Sequence, residues 1–325
     1  MRIVFLGFQK WGWAALKGLI ESRHQVSLVV THPQNKSIYK GSFIDKSVRE
    51  LAESNNIATS ECRRLDQKEI IDEIKDAKPD VIVSSDWETW IAPEVTGLAK
   101  KAAINIHDAL LPKYAGFSPV NWAIINGEKE VGITVHYIEK ILDQGKIILQ
   151  EAVLVQESDT VVEVLEKIFE KIPDVTLKSL DLIENDKVEA KKQDLNQASF
   201  YHKITGKDCE INWQSPYQAV YNFIRALFDP FSNAYTYFQG KKIKIKKASI
   251  PKKIYCGIPG RLACRQESGV VALCGNTGAN QPQGIVIEEV EDEQGQLIPA
   301  NRYFLKMGGY LGRAAGIENI KSKNF

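Results

Sequence analysis

The sequence predicts an α/β protein: a mostly parallel sheet with helices on both faces, followed by a smaller β-barrel. Two observations carry this. In the first half, short apolar runs alternate with segments of helical period, the βαβα rhythm of a parallel sheet. In the last third, short apolar runs are broken by Gly and Pro at barrel-like spacing. A chain of 325 residues is long enough for two cores. The division is expected at the polar, charge-mixed stretch 184–197, giving domains 1–197 and 198–325.

Taken in order, Arg2–Gly7 reads as a strand, residues 14–21 as a helix, and Gln25–Thr31, with β-branched Val26, Val29 and Val30, as a strand. Residues 46–55 and 67–74 read as helices, 81–84 and 103–107 as buried strands, and 118–126 as a helix. Strands at 131–138 and 147–155 precede a long helix at 161–183. The stretch 184–197 is expected to be a linker tolerant of change. A helix at 217–228 and strands at 235–239, 241–248, 260–265, 270–274 and 284–290 make up the second domain. The last dozen residues, with Lys321, Lys323 and Asn324, read as a frayed tail.

Composition excludes several classes. Hydrophobic residues make up 44% and charged residues 26%, an ordinary soluble balance. A net charge of +1 supplies no global attraction to nucleic acid or membrane. No apolar run approaches a bilayer span, and Met1–Gly7 reads as a first strand, not a signal peptide. Five cysteines without C-x-x-C spacing argue against disulfides or structural zinc and fit the cytoplasm. His24, His32, His136 and His202 show no ligand spacing, so no metal is expected, and His136 reads as a satisfied core histidine. The first turn, Gly7-Phe8-Gln9-Lys10-Trp11-Gly12, lacks the glycines of G-x-G-x-x-G. The sheet is therefore read as Rossmann-like but without NAD. The Lys241–Lys247 run, with Ile243 and Ile245 between lysines, is a half-buried strand with a basic face, or else a polyanion strip.

The chemistry concentrates around residues 104–116. Side chains two apart on a strand share a face, so Asn105 and His107 project together just before a loop containing Pro112 and Gly116. In an open α/β sheet, ligands bind beyond the carboxyl ends of the strands. If the strands flanking the loop 139–145 join the same sheet, Asp143 faces His107. An amide, an imidazole and a carboxylate together suit acyl transfer to an amine: two groups steady an oxyanion and the third handles protons. Each residue also has a structural reading, since Asp143-Gln144-Gly145 is an ordinary turn signal.

The string Asn105-x-His107 followed by Leu110-Leu111-Pro112-x-x-x-Gly116 resembles the signature of the folate-dependent formyltransferases. That family holds methionyl-tRNA formyltransferase, glycinamide ribonucleotide formyltransferase and amino-sugar N-formyltransferases. The similarity continues through Pro119-Val120-Asn121-Trp122, Asn126-Gly127-Glu128, Gly132-Ile133-Thr134-Val135 and Asp143-x-Gly145. The formyltransferase domain of the bifunctional enzyme that makes UDP-formyl-aminoarabinose is especially similar. Ile211-Asn212-Trp213 and residues 224–230 resemble that group's C-terminal, OB-like barrel.

By that resemblance, 10-formyltetrahydrofolate is the co-substrate, Asn105 and His107 polarise the formyl carbonyl, and Asp143 orients His107 and assists proton removal. The folate is expected against Trp87, Glu88, Thr89, Trp90 and Ile91, and against Ile141, Leu142 and Gly145. The acceptor is expected near Lys10, Trp11, Tyr114 and Gly116; Trp11 and Trp13 either line its pocket or pack. The family commonly has Gly or Pro and then Ser after the histidine, where this chain has Asp108 and Ala109, which puts loop geometry and rate in question. The acceptor is read as a small-molecule amine, a nucleotide-linked amino sugar above all, with nucleic acid and membrane not expected. The segment 31–42 has two lysines and no arginine, unlike the Arg- and Gly-rich loop of methionyl-tRNA formyltransferases, and its Tyr39-x-Gly41-Ser42 resembles the aminoarabinose enzyme. Methionyl-tRNA, an amino acid or peptide-like amine, transfer to water, and a degenerate folate-binding module stay open as alternatives.

Overall fold

The apolar run Arg2–Gly7 forms β1, whose residues Ile3 to Leu6 are fully buried, as expected of a strand covered on both faces. A computed structural model describes residues 1–36, 39, 41–275 and 283–312; Lys321, Lys323 and Asn324 of the expected tail lie outside them. The chain divides into two units. The first comprises Met1–Val120, Lys129–Glu157 and Glu163–Lys203. After β1 come α1 (Gln9–Ile20), β2 (Gln25–Thr31), α2 (Val48–Ser54), β3 (Thr59–Glu61), α3 (Lys68–Asp76), β4 (Val81–Ser85) and α4 (Pro93–Thr96). Then follow β5 (Ala102–His107), β6 (Ala115–Gly116), α5 (Pro119–Ile125, mostly in the second unit), β7 (Glu130–Tyr137), β8 (Ile147–Leu154), α6 (Val161–Glu184) and β9 (Phe200–Tyr201).

The main sheet has seven strands in the order β3-β2-β1-β4-β5-β7-β8. It is parallel from β3 to β5, and β7 and β8 add antiparallel. Helix α3 shows how the sequence dictates its own burial: Ile70 and Ile74, four apart, are buried among charged neighbours. They pack with Val4, Leu6, Val30 and Ile82 on one side of the sheet. The expected parallel sheet is present, and most elements lie within a few residues of where the pattern puts them. Strand β3 escaped the sequence reading because Thr-Ser-Glu on a sheet edge carries no apolar signal.

The stretch 184–197 corrects an expectation. It is not a free linker: Lys191 exchanges backbone hydrogen bonds with Ile147 in both directions, and Gln193 is buried. A polar segment can be buried where its hydrogen bonds are met inside the protein, and polarity alone does not show this.

The second unit takes in Asn121–Glu128, Ser158–Val162 and the chain from Ile204 onward. Its elements are α7 (Tyr217–Ala226), β10 (Tyr235–Phe238), β11 (Lys241–Ser249), β12 (Leu262–Arg265), β13 (Val270–Leu273), β14 (Gly284–Glu291), β15 (Leu297–Pro299) and α8 (Ala300–Tyr303). The strands form an antiparallel half-barrel in the order β10-β11-β14-β13-β12, with β15 on β14. Single bridges from Leu311 to Phe238 and from Tyr310 to Arg261 tie the two edges to one segment. Its core gathers Trp213, Ile224, Ile243, Ile245, Ile287 and Phe304. In this unit the buried Arg225 guanidinium donates to the Asn222 side chain and the Asp159 carbonyl, and Asn121 donates to the Ala226 carbonyl.

Candidate active site

Asn105 and His107 leave β5 on one face, and the antiparallel register with β7 decides what stands opposite them. Asn105 pairs with His136, and His107 with Thr134. The β7–β8 loop then carries Asp143, which is buried with a φ of 56°. The structure therefore brings Asn105, His107 and Asp143 together, with His136 as a fourth member. His136 is buried and hydrogen-bonded, as the sequence suggested, but it faces the site. Thr134 and His136 stand two apart among the apolar Ile133 and Val135, a signal of one polar face that only the register could locate.

The polar contacts fix most of the proton positions. His136 Nδ1 lies 2.8 Å from the Tyr137 carbonyl and must carry a hydrogen to bond it, leaving Nε2 as an acceptor for the Asn105 amide at 3.3 Å. His107 Nε2 lies 3.0 Å from the Tyr114 carbonyl and donates to it. Its Nδ1 stands 4.0 Å from Asp143 Oδ2, too far for a hydrogen bond and close enough for one small group to bridge. Asp143 Oδ2 accepts from the Gly116 amide at 2.9 Å, and Oδ1 lies 3.7 Å from His136 Nε2.

The two histidines are driven apart electrostatically. Burial works against charge on His107, but the carboxylates of Asp143 and Asp108 and the Tyr114 carbonyl outweigh it, so its pKa is raised. At His136 burial wins over Asp143 and the Tyr137 carbonyl, and the pKa is lowered. The surroundings favour charge on one imidazole and oppose it on the other. By linkage, the stability His107 contributes is complete below pH ~6.5 and is lost as pH rises through its folded value. That of His136 is complete above ~6.5 and is lost as pH falls through its folded value. In imidazole-resolved NMR, His107 should titrate above pH ~6.5 and His136 below it, and Asp143→Asn should lower both midpoints. Two histidines titrating together at an ordinary midpoint would contradict this arrangement.

The loop between β5 and α5 is held from several sides. Thr134 Oγ1 donates to the Ala109 carbonyl and accepts from the Leu111 amide. These two bonds hold the backbone at Ala109 and Leu111, next to the departure from the expected pattern at Asp108 and Ala109. Asp108 accepts from Trp11 Nε1 at 2.9 Å. Burial pushes its carboxyl up, against the pull of His107 and of that hydrogen bond. The residues assigned to the acceptor are placed differently from one another. Tyr114 is buried and stacked on Tyr201, and it reaches the site through its carbonyl. Gly116 does so through its amide; its φ is +95°, and a Cβ there would lie 2.5 Å from the Tyr201 carbonyl oxygen. Both therefore contact the triad through their backbone. Lys10 lies over the Phe43 and Phe169 rings, and burial lowers its pKa while Glu166 pulls it back up.

The carboxyl end of β4 supplies the second wall. Trp87 stacks on His32 at 4.0 Å between centroids, and His32 accepts from the Glu88 amide. Trp90 is exposed and its Nε1 reaches the Lys140 carbonyl at 3.4 Å, joining the 86–91 segment to the 139–145 loop. Ile141 and Leu142 are exposed beside it, whereas Ile91 packs into the core. Ser84 Oγ, Ser85 Oγ, Trp87 Nε1 and Thr89 Oγ1 are buried without a hydrogen-bond partner. Such groups are rarely left so, and a polar ligand beside β4 would satisfy them.

Residues 1–180 match the formyl transferase model, and residues 203–307 match the formyl transferase C-terminal domain. The chain belongs to the formyl transferase family. It is a formyl-transferring enzyme. The formyl transferase is 31% identical over 307 residues to methionyl-tRNA formyltransferase of Caldanaerobacter subterraneus subsp. tengcongensis, covering 94% of this chain and 96% of that protein. It is also 31% identical over 255 residues to the bifunctional polymyxin resistance protein ArnA of Wigglesworthia glossinidia brevipalpis, covering 78% of this chain and 39% of that one. In fold it is similar to the N-formyltransferase of Helicobacter canadensis, solved with folinic acid and dTDP-3-aminofucose: TM-score 0.65, 20% identity, 88% of this chain and 98% of that chain.

Among the described residues, His24, Asp181 and Glu184 form a group whose ligating atoms lie within 4.8 Å of one another. The Arg23 guanidinium bonds both carboxylates, so the charge that would draw a cation is already met. No described helix is long and apolar enough to cross a membrane.

Proposed function

We propose that this formyl transferase moves a formyl group from 10-formyltetrahydrofolate to the amine of a small molecule, with nucleotide-linked amino sugars as the first acceptor class. The folate would lie along Trp87–Ile91 and Ile141–Gly145, where the unpartnered groups of Ser85, Trp87 and Thr89 fit a polar heterocycle. When bound, it supplies the formyl group. His107, whose charged form the neighbouring carboxylates favour, would in that form present Nδ1–H to the formyl oxygen, and the Asn105 amide offers its remaining hydrogen to the same developing charge. Asp143, steadied by the Gly116 amide, takes the proton of the attacking amine directly or through water.

One observation favours a small acceptor over tRNA. Of the five lysines of strand β11, the basic strip expected from the sequence, three pair with carboxylates. Lys244 pairs with Glu291 at 2.6 Å, Lys246 with Asp229 at 2.5 Å and Glu291 at 3.4 Å, and Lys247 with Glu288 at 3.0 Å. Lysines so paired have little counterion release to offer a phosphate backbone. The named methionyl-tRNA relatives support the second reading, formylation of an aminoacyl-tRNA. Parallel assays with charged initiator tRNA and with a panel of amino-sugar nucleotides, amino acids and simple amines decide between them. The expected result is turnover of a small amine with weak dependence on salt; efficient, salt-sensitive formylation of the tRNA with every small amine inert would reverse it.

A further inference from the structure

We propose that Gln193 is a positioning residue for the active site: its side-chain amide sets the pose of Asp143 from a segment outside both site loops. Nε2 donates both hydrogens, one to the Asp143 carbonyl and one to the Gly145 carbonyl, each at 2.8 Å. Gln193 is 6% exposed, so these bonds face little competition from water. The loop it grips needs holding. Asp143 has the left-handed φ of 56°, a conformation that carries strain for a residue with a side chain, and its neighbours Ile141 and Leu142 are exposed.

The same segment also holds the other half of the site. Ahead of Gln193, the paired backbone bonds between Lys191 and Ile147 anchor it to the start of β8. Beyond it, Ser199 Oγ accepts from the Tyr114 amide, the Ser199 carbonyl accepts from Ala115, and β9 pairs with β6 in parallel. Tyr114 and Gly116 are the residues whose carbonyl and amide hold His107 and Asp143. Residues 191–201 therefore clasp both loops, and Gln193 supplies the contact on the Asp143 side. A displacement of about 1 Å at a reacting group can cost roughly 100-fold in rate. The contacts to the Asp143 and Gly145 carbonyls are the means of preventing one.

This inference rests on Asp143 acting in proton transfer, so Asp143→Asn is carried through the same measurements. Gln193→Met keeps the volume and removes both donors; Gln193→Asn keeps the amide but falls one methylene short, and serves if the methionine variant does not fold. In the full chain, tetrahydrofolate release with the amine that the wild type uses fastest should fall roughly 10- to 100-fold in kcat, with KM for that amine little changed. Binding of 5-formyltetrahydrofolate, used as an unreactive probe, should hold. The titration midpoint of His107 should move toward its position in Asp143→Asn, because the carboxylate no longer keeps its place. Wild-type turnover and an unmoved His107 midpoint in a folded Gln193 variant would overturn the proposal. So would a loss of turnover that merely tracks a loss of 5-formyltetrahydrofolate binding and of melting temperature. An active Asp143→Asn enzyme would instead overturn the triad itself, whereas a crippled Asp143→Asn beside an unaffected Gln193→Met would defeat only the role of Gln193.

Discussion

Asp143→Asn and His107→Asn should each lower kcat by about 10²–10³-fold while the protein still melts cooperatively. The asparagine at 143 keeps an oxygen for the Gly116 amide, so the contact that steadies the loop survives. What disappears is the negative charge that favours the His107 imidazolium and the base that takes a proton from the amine. Removing one partner also leaves a buried His107 imidazolium uncompensated, so the melting temperature of this variant should fall, most at a pH where His107 is charged. His107→Asn loses Nδ1–H at the formyl oxygen, and it leaves the Tyr114 carbonyl short of its donor at a stability cost of about 1–3 kcal/mol. Because both groups act on charge that develops during reaction, kcat and kcat/KM should fall together. Steady-state kinetics with the preferred amine, beside thermal melts, reads both quantities. Near-wild-type turnover in either folded variant would remove that residue from the chemistry.

The sequence carried the parallel sheet because strands such as β1 and β4 are apolar throughout, and burial on both faces demands that composition. It carried Asn105 and His107 because their spacing of two fixes a shared face whatever surrounds them. Apart from the family resemblance, it carried Asp143 through a conditional, that β7 and β8 join the same sheet, which the registers of β5 with β7 and of β7 with β8 satisfy. His136 was read as core because its neighbours are apolar. Its functional side is set by the pairing with Asn105, a relation between strands that no local window contains. Gln193 was hidden for a related reason: its burial comes from two carbonyls some fifty residues earlier, while its neighbours are charged and exposed. Tyr114 and Gly116 were read as acceptor positions, whereas their contacts in the site are the Tyr114 carbonyl on His107 and the Gly116 amide on Asp143. The site uses their backbone, and backbone direction depends on φ values that the sequence does not state.

Gly145→Ala should reduce kcat by roughly 100-fold or more, with a smaller effect on stability. The reason is space. A Cβ on Gly145 would lie 1.7 Å from the Tyr137 carbonyl oxygen and 2.8 Å from its carbon, with His136 Nδ1 at 3.3 Å. The Tyr137 carbonyl is backbone at the end of β7, where the strand pairs with β5, and cannot yield as a flexible side chain would. The loop must therefore move away by more than an ångström. That motion carries the Gly145 carbonyl off Gln193 and displaces Asp143, two residues upstream, from His107 and from the Gly116 amide. The fold is better protected than the chemistry, because the tip of this loop at Ile141 and Leu142 is exposed and buries little apolar surface. Gly206→Ala provides the control: a Cβ there meets nothing within 4 Å, and neither activity nor melting temperature should change appreciably. The decisive comparison is kcat against melting temperature for the two alanine variants. A Gly145→Ala enzyme with the turnover of the Gly206→Ala control would show that Asp143 tolerates displacement, and that the crowding of this loop against β7 does not set the rate.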